Sequence, residues 1–134
     1  MSLVIDASVA MKWLVESEGS DRAQALVGSD ALVAPDLILA EVANALWRYS
    51  AGGLLARTAG EAAIMVLQRT LDRTYPLAPM TADAYCVAGE LGHPAYDCFY
   101  LVLARTLDSL VWTADRRLAA KVAGTPWQNR VRLL

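Results

Sequence analysis

Residues 3–13 read LVIDASVAMKW, Leu3 to Trp13. Three apolar residues run into an acid, Asp6, and a second apolar run follows at once. A short buried strand that ends in a carboxylate and turns straight into a helix is how an α/β unit begins. Two roles fit Asp6: the cap of the helix that follows, or the ligand of a metal at the strand's end. The rest of the chain has to separate them.

Working outward, short apolar runs alternate with longer helical patterns. The spacing predicts strands at Leu3–Ile5, Ala31–Ala34, Tyr75–Ala78, Leu110–Thr113 and Val131–Leu134. It predicts helices over Ser8–Glu16, Ser20–Val27, Leu37–Ala51, Thr58–Asp72, Thr81–Leu91, Tyr96–Thr106 and Asp115–Val122. Gly52-Gly53 stops the long third helix, and Thr58 with Glu61 reads as a capping box for the fourth. Strands separated by helices imply an α/β fold with a mainly parallel five-stranded sheet, in one domain over residues 1–134. In such sheets ligands bind beyond the carboxyl ends of the strands, which is where Asp6 falls.

The composition allows this and excludes other classes. Hydrophobic residues make up 56 % of 134, ample for a core. The longest uncharged stretch is the nine residues Thr74–Ala82, far short of the ~18 of a membrane span. Asp6 interrupts the only candidate signal-peptide core, so a cytoplasmic protein is expected. A net charge of -2 and a pI near 5.3 exclude a generally basic nucleic-acid binder. Cys86 and Cys98 have no metal-binding spacing and read as small buried residues in a reducing compartment. The single histidine, His93, excludes a histidine-rich zinc site, and no GxSxG elbow accompanies it for a serine triad.

The acids carry the functional signal. Asp21, Glu61 and Asp83 are expected in first helical turns. Asp115, in LVWTAD, repeats the Asp6 pattern of a strand feeding an acid, and Asp36, after ALVAP, has the same position but is explained as a cap. Asp97 opens the apolar helix in PAYDCFYLVLAR. Glu41 sits in LILAEVANALW with no basic residue three or four positions away, and Asn44 shares its face. A buried carboxylate needs a partner. Two carboxylates about 4 Å apart repel by roughly 4 kcal/mol at an effective dielectric of 20. If Asp6, Glu41, Asp97 and Asp115 converge, they must hold protons or a cation. An oxygen-only site suits Mg²⁺, with Mn²⁺ as a substitute.

VIDASV, PDLILAEVANAL, AYDCFYLVLA and VWTADRRL, in that order, resemble the PIN-domain ribonucleases, in particular the VapC-type toxins of toxin–antitoxin pairs. The resemblance spans the whole chain. It implies a PIN-like fold and Mg²⁺-dependent endoribonuclease activity through Asp6, Glu41, Asp97 and Asp115. Ser8, Asn44 and Thr113 would support the carboxylates. It also implies a homodimer and a VapB-type antitoxin that blocks the site. Arg116 and Arg117 stand where some relatives carry a further acid, which favours one firmly bound ion. Arg116, Arg117, Lys12 and Arg48 are the candidates for RNA phosphates, with Arg130 and Arg132 behind them.

Two other readings belong beside this one. A receiver-type phosphoacceptor domain also places an acid at a strand end, but it would show an adjacent acid pair, and here Ala7 follows Asp6. A non-catalytic PIN-like binding module with a decayed site is the second. Trp47, Tyr49, Leu54 and Leu55, around the Gly52-Gly53 turn, read singly as core and together as a groove for an antitoxin helix or part of a dimer contact.

Overall fold

The structure, a computed structural model, describes residues 1–134. Five parallel strands form one sheet in the order β3-β2-β1-β4-β5. β1 (Ser2–Ile5) is central, between β2 (Ala31–Pro35) and β4 (Leu110–Thr113). β3 (Arg73–Tyr75) and β5 (Val131–Leu133) are the edges. Val4 and Ile5 are fully buried, as a central parallel strand covered on both faces requires. From β1 the chain builds outward in one direction to β2 and β3, then returns to the other side for β4 and β5. This reversal opens a crevice at the carboxyl ends of β1 and β4, and it places Asp6 and Asp115 beside each other along the sheet edge.

Seven helices cover the faces: α1 (Ala7–Leu14), α2 (Ser20–Gln24), α3 (Leu37–Ala51), α4 (Arg57–Thr70), α5 (Thr81–Leu91), α6 (Ala95–Thr106) and α7 (Arg116–Val122). α6 is the most deeply set, with Cys98 and every residue from Tyr100 to Ala104 buried, and it packs across β1, β2 and β4. That position carries Asp97 and Tyr100 to the carboxyl edge. No helix is long and apolar enough to cross a membrane.

Several local expectations need correction. The third strand lies at Arg73–Tyr75 rather than Tyr75–Ala78. Pro76 and Pro79 cannot donate to a ladder, and Ala78–Met80 instead forms a 3₁₀ turn. The strand is pinned earlier because Asp72 accepts from the Leu32 N–H through its carboxylate (2.7 Å) and donates its own N–H to the Leu32 carbonyl (2.8 Å). The Thr58 capping box does not form. α4 starts one residue sooner, with Ala56 at the cap, and Glu61 approaches Arg57 at 4.0 Å instead. Cys86 is exposed, whereas Cys98 is buried as expected, its thiol pushed up to about 11 by burial and by the Asp97 charge. α3 is buried only along Ile38, Val42 and Leu46, so its apolar sequence overstates its burial. Trp47 and Leu54 are exposed rather than core (64 % and 77 %), beside the left-handed Gly53 that turns the hairpin.

A candidate metal centre at the carboxyl edge of the sheet

Asp6 is 4 % exposed and ends the central strand. It occupies the cap position of α1, but its carboxylate makes no capping hydrogen bond. Asp6 Oδ2 instead accepts from Ser8 Oγ (2.6 Å) and from Thr113 Oγ1 (2.7 Å). Each hydroxyl in turn accepts a backbone N–H. Ala114 N donates to Ser8 Oγ (2.9 Å), and Asp115 N donates to Thr113 Oγ1 (3.0 Å). A hydroxyl has one hydrogen to give. With both hydrogens committed to Asp6, the 3.3 Å separation of Ser8 and Thr113 is an approach between acceptors. The loop after β4 is thereby tied to the acid after β1. Asp115 behaves differently. It is a true helix cap, its Oδ1 accepting from Arg117 N at 2.9 Å.

Glu41, half-buried on α3, accepts from the Tyr100 hydroxyl at 2.7 Å. Tyr100 is fully buried on α6. Asn44, expected to support Glu41, is exposed and makes no side-chain hydrogen bond, so Tyr100 takes that place. Asp97, in the first turn of α6, meets His93 Nε2 at 2.5 Å, an i,i+4 pair closed over the Pro94 turn. The role of Tyr100 and the pairing of His93 with Asp97 both escaped the reading of the sequence. Tyr100 lies one helical turn after Asp97, and His93 one turn before it, so a same-face search from Asp97 would have found both.

Burial pushes the Asp6 carboxyl above its usual range. The Ser8 and Thr113 hydroxyls pull it back in part, and the Asp97 charge raises it again. Glu41 is also raised, by burial first and by the charges of Asp6 and Asp97, against the lowering bond from Tyr100. The Tyr100 hydroxyl is driven well above its ordinary value by burial and by the same acids, so it remains a donor. Asp6, Glu41 and Asp97 therefore sit within each other's fields. No lysine or arginine forms a salt bridge with any of the three. Asp97 and Asp115 line an open cavity of 600 Å³ with His93, Arg117 and Lys121.

The carboxylates of Asp6, Glu41 and Asp97 offer oxygen donors and negative charge with no lysine or arginine partner, which suits a hard divalent cation. Their present arrangement is looser than a closed site. No three carboxylate, imidazole or thiolate side chains are grouped closely enough to share one ion. The expected convergence of four acids is thus a shared edge, with a shared field among Asp6, Glu41 and Asp97, rather than a finished cage. Asp97 is held by His93 and Asp115 by its own helix. Asp36, the other acid after a strand, is exposed, helical in backbone, and makes no cap.

The four cationic candidates separate. Arg117 lies on the acidic cavity, its Nε 3.7 Å from Asp115. Arg116 and Lys12 line a different cavity. Arg48 is exposed in the last turn of α3.

Residues 3–124 match the family model described as PIN domain. Ribonuclease VapC3 of Pyrobaculum aerophilum is 32 % identical over 124 residues, which is 90 % of this chain and 95 % of that protein. Ribonuclease VapC9 of Mycobacterium tuberculosis is 29 % identical over 117 residues, covering 87 % of this chain and 88 % of that one. Among solved structures, PAE2754 from Pyrobaculum aerophilum superposes with a TM-score of 0.68 at 23 % identity, over 93 % of this chain and 82 % of the other. VapBC-1 from nontypeable Haemophilus influenzae gives 0.64 at 15 % identity, over 99 % and 98 %.

Proposed function

The chain belongs to the PIN-domain family, in its VapC branch, and on that premise we propose that it is a metal-dependent endoribonuclease, the toxin of a toxin–antitoxin pair. The observation that supports this most is the electrostatic state of the carboxyl edge. Asp6 and Glu41 are raised by burial and by the charge of Asp97, Glu41 by that of Asp6 as well, and no basic side chain pairs with them. A fold keeps such a group when the charge is used.

Asp6, Asp97, Asp115 and Glu41 would hold Mg²⁺ or Mn²⁺, directly or through water. When bound, such an ion supplies Lewis-acid stabilisation of phosphodiester oxygens and of an attacking water. The chain's own groups do the positioning. Ser8 and Thr113 fix one Asp6 oxygen, Oδ2, and so hold the carboxylate in place. Tyr100 fixes Glu41 so that its second oxygen can orient water. Asp97 has to turn from His93 to join Asp6. One firmly held ion suffices for this residue set.

The antitoxin reading draws support from the α3–α4 hairpin. A cavity of 450 Å³ there is lined by Leu46, Trp47, Leu55 and Ile64, shaped for the apolar face of a VapB-type helix. A homodimer is the second expected assembly, and exposed Tyr85 and Tyr96 give it apolar surface to bury. Purified protein incubated with total RNA tests the enzyme. Cleavage with Mg²⁺ that stops with EDTA supports it. RNA left intact under both conditions favours the non-catalytic module.

A further inference from the structure

At the same edge lies a second cavity, of 160 Å³, lined by Lys12, Arg22, Arg116, Glu18 and Ala114. Residues 114–117 alternate between the two cavities. Asp115 and Arg117 face the acidic one, and Ala114 and Arg116 the other. The link is covalent and hydrogen-bonded, because Ala114 N holds the Ser8 hydroxyl that holds Asp6.

Three features mark this cavity as built for an anion. Lys12, Arg22 and Arg116 bring three positive charges to one small space, and none of them forms a salt bridge, Glu18 included. The Arg22 and Lys12 side chains both pass close to the backbone at Gly19. A Cβ on Gly19 (φ +87°) would stand 3.2 Å from the Arg22 guanidinium and 3.5 Å from the Lys12 stem, so the chain passes through this gap with no side chain. Lys12 is half-buried, and its ammonium is steered by the Glu18 carbonyl (2.5 Å) and Ser17 Oγ (3.4 Å). Arg22 and Arg116 are exposed, so the positive charge of this cavity is open to an incoming anion. The cavity is small. It exceeds the ~30 Å³ share of one water and falls below the ~300 Å³ of pockets for drug-sized ligands.

We propose that the Lys12–Arg22–Arg116 cavity is a phosphate subsite that grips an RNA backbone phosphodiester neighbouring the one cleaved at Asp6. It would set the register of the strand over the acids. The identity of the ligand as RNA rests on the ribonuclease reading. The electropositive cavity does not. Arg22 is the new element, since nothing in its own sequence neighbourhood, SDRAQ, suggests a role in the site.

The test is fluorescence anisotropy of a labelled single-stranded RNA decamer in EDTA, where binding is read without cleavage, between about 50 and 200 mM salt. Each phosphate contact contributes about 0.7 to the salt slope on a single strand. Arg22→Gln should lower the slope by about 0.7 and weaken binding about fivefold at 0.1 M salt. Lys12→Gln with Arg22→Gln and Arg116→Gln should lower it by about 2. Arg69→Gln, at the opposite edge of the sheet, should change neither. Parent affinity and slope in Arg22→Gln would overturn the subsite. Cleavage with Mg²⁺ is scored separately. RNA that binds through Arg22 yet is never cut would sink the ribonuclease reading and leave the subsite standing.

Discussion

The two edges of this sheet carry the same residue types and treat them in opposite ways. At the amino edge, Asp72 binds the Leu32 N–H, Asp108 pairs with Arg130 at 3.1 Å, and the same arginine donates to the Ser109 carbonyl. Ser109 Oγ donates to the Ser2 carbonyl, closing the start of β1. Asp72 and Asp108 each have a backbone or arginine partner there. At the carboxyl edge, no lysine or arginine pairs with Asp6 or Glu41: the Ser8, Thr113 and Tyr100 hydroxyls donate to them, and the Asp97 charge acts on both. A structural acid is balanced where it stands. An acid left unbalanced by its own fold is waiting for something that is not protein.

Acid-to-amide changes at the two edges should therefore diverge most. Asp6→Asn should reduce RNA cleavage beyond the roughly 100-fold that loss of a supporting partner costs, with the far-ultraviolet circular dichroism unchanged. Asp108→Asn should leave cleavage intact. Equal rates for Asp6→Asn and the parent, measured on purified protein with Mg²⁺, would break the contrast outright.

Removing a support should cost less than removing an acid. Tyr100→Phe keeps the ring and deletes only the donor to Glu41. We expect cleavage or Mg²⁺ affinity to fall about 10- to 100-fold, read by steady-state kinetics and by calorimetry of the ion. Unchanged affinity and rate would mean that Tyr100 is a core residue with a convenient hydroxyl.

Stability should move in opposite directions at the two edges. The fold raises the Asp6 pKa, so it favours the protonated form. The contribution of this group to stability is complete below the ordinary value of 3.8 and is lost as pH rises through the raised value. Without divalent cations near neutral pH, Asp6→Asn should melt about 3 °C higher, the shift that roughly 1 kcal/mol produces in a domain of this size. Its advantage should vanish in acid. Asp72→Ala should instead lose about 1 kcal/mol, because the buried Leu32 N–H is left without its acceptor. Calorimetry in EDTA at two pH values reads both, and a destabilised Asp6→Asn would contradict the electrostatic picture.

The smallest effect separates position from convergence. Asp36 follows β2 as Asp6 follows β1, yet it is exposed and makes no side-chain hydrogen bond. Asp36→Asn should change cleavage by less than about twofold, as expected for surface substitutions away from special features. A large loss would enlarge the site toward β2.

The sequence by itself determined the layered α/β architecture, the parallel sheet, and the delivery of Asp6 and Asp115 to one edge. Local periodicity fixes which stretches are strand or helix, and parallel connectivity fixes which strand ends lie together. The tertiary structure decided what each acid does there. Asp6 reads like a cap and binds two hydroxyls instead, one from a residue 107 positions away. Asp115 reads the same and caps. Glu41 was paired by helical spacing with Asn44, but its donor is Tyr100, 59 positions along the chain. Arg22 and Lys12, on separate helices, line one cavity, with the left-handed Gly19 close to both side chains. Spacing along a helix or strand reports the face a residue occupies. The partner across that face depends on how α3, α6 and the β4 loop pack over one crevice, and no local pattern carries that information.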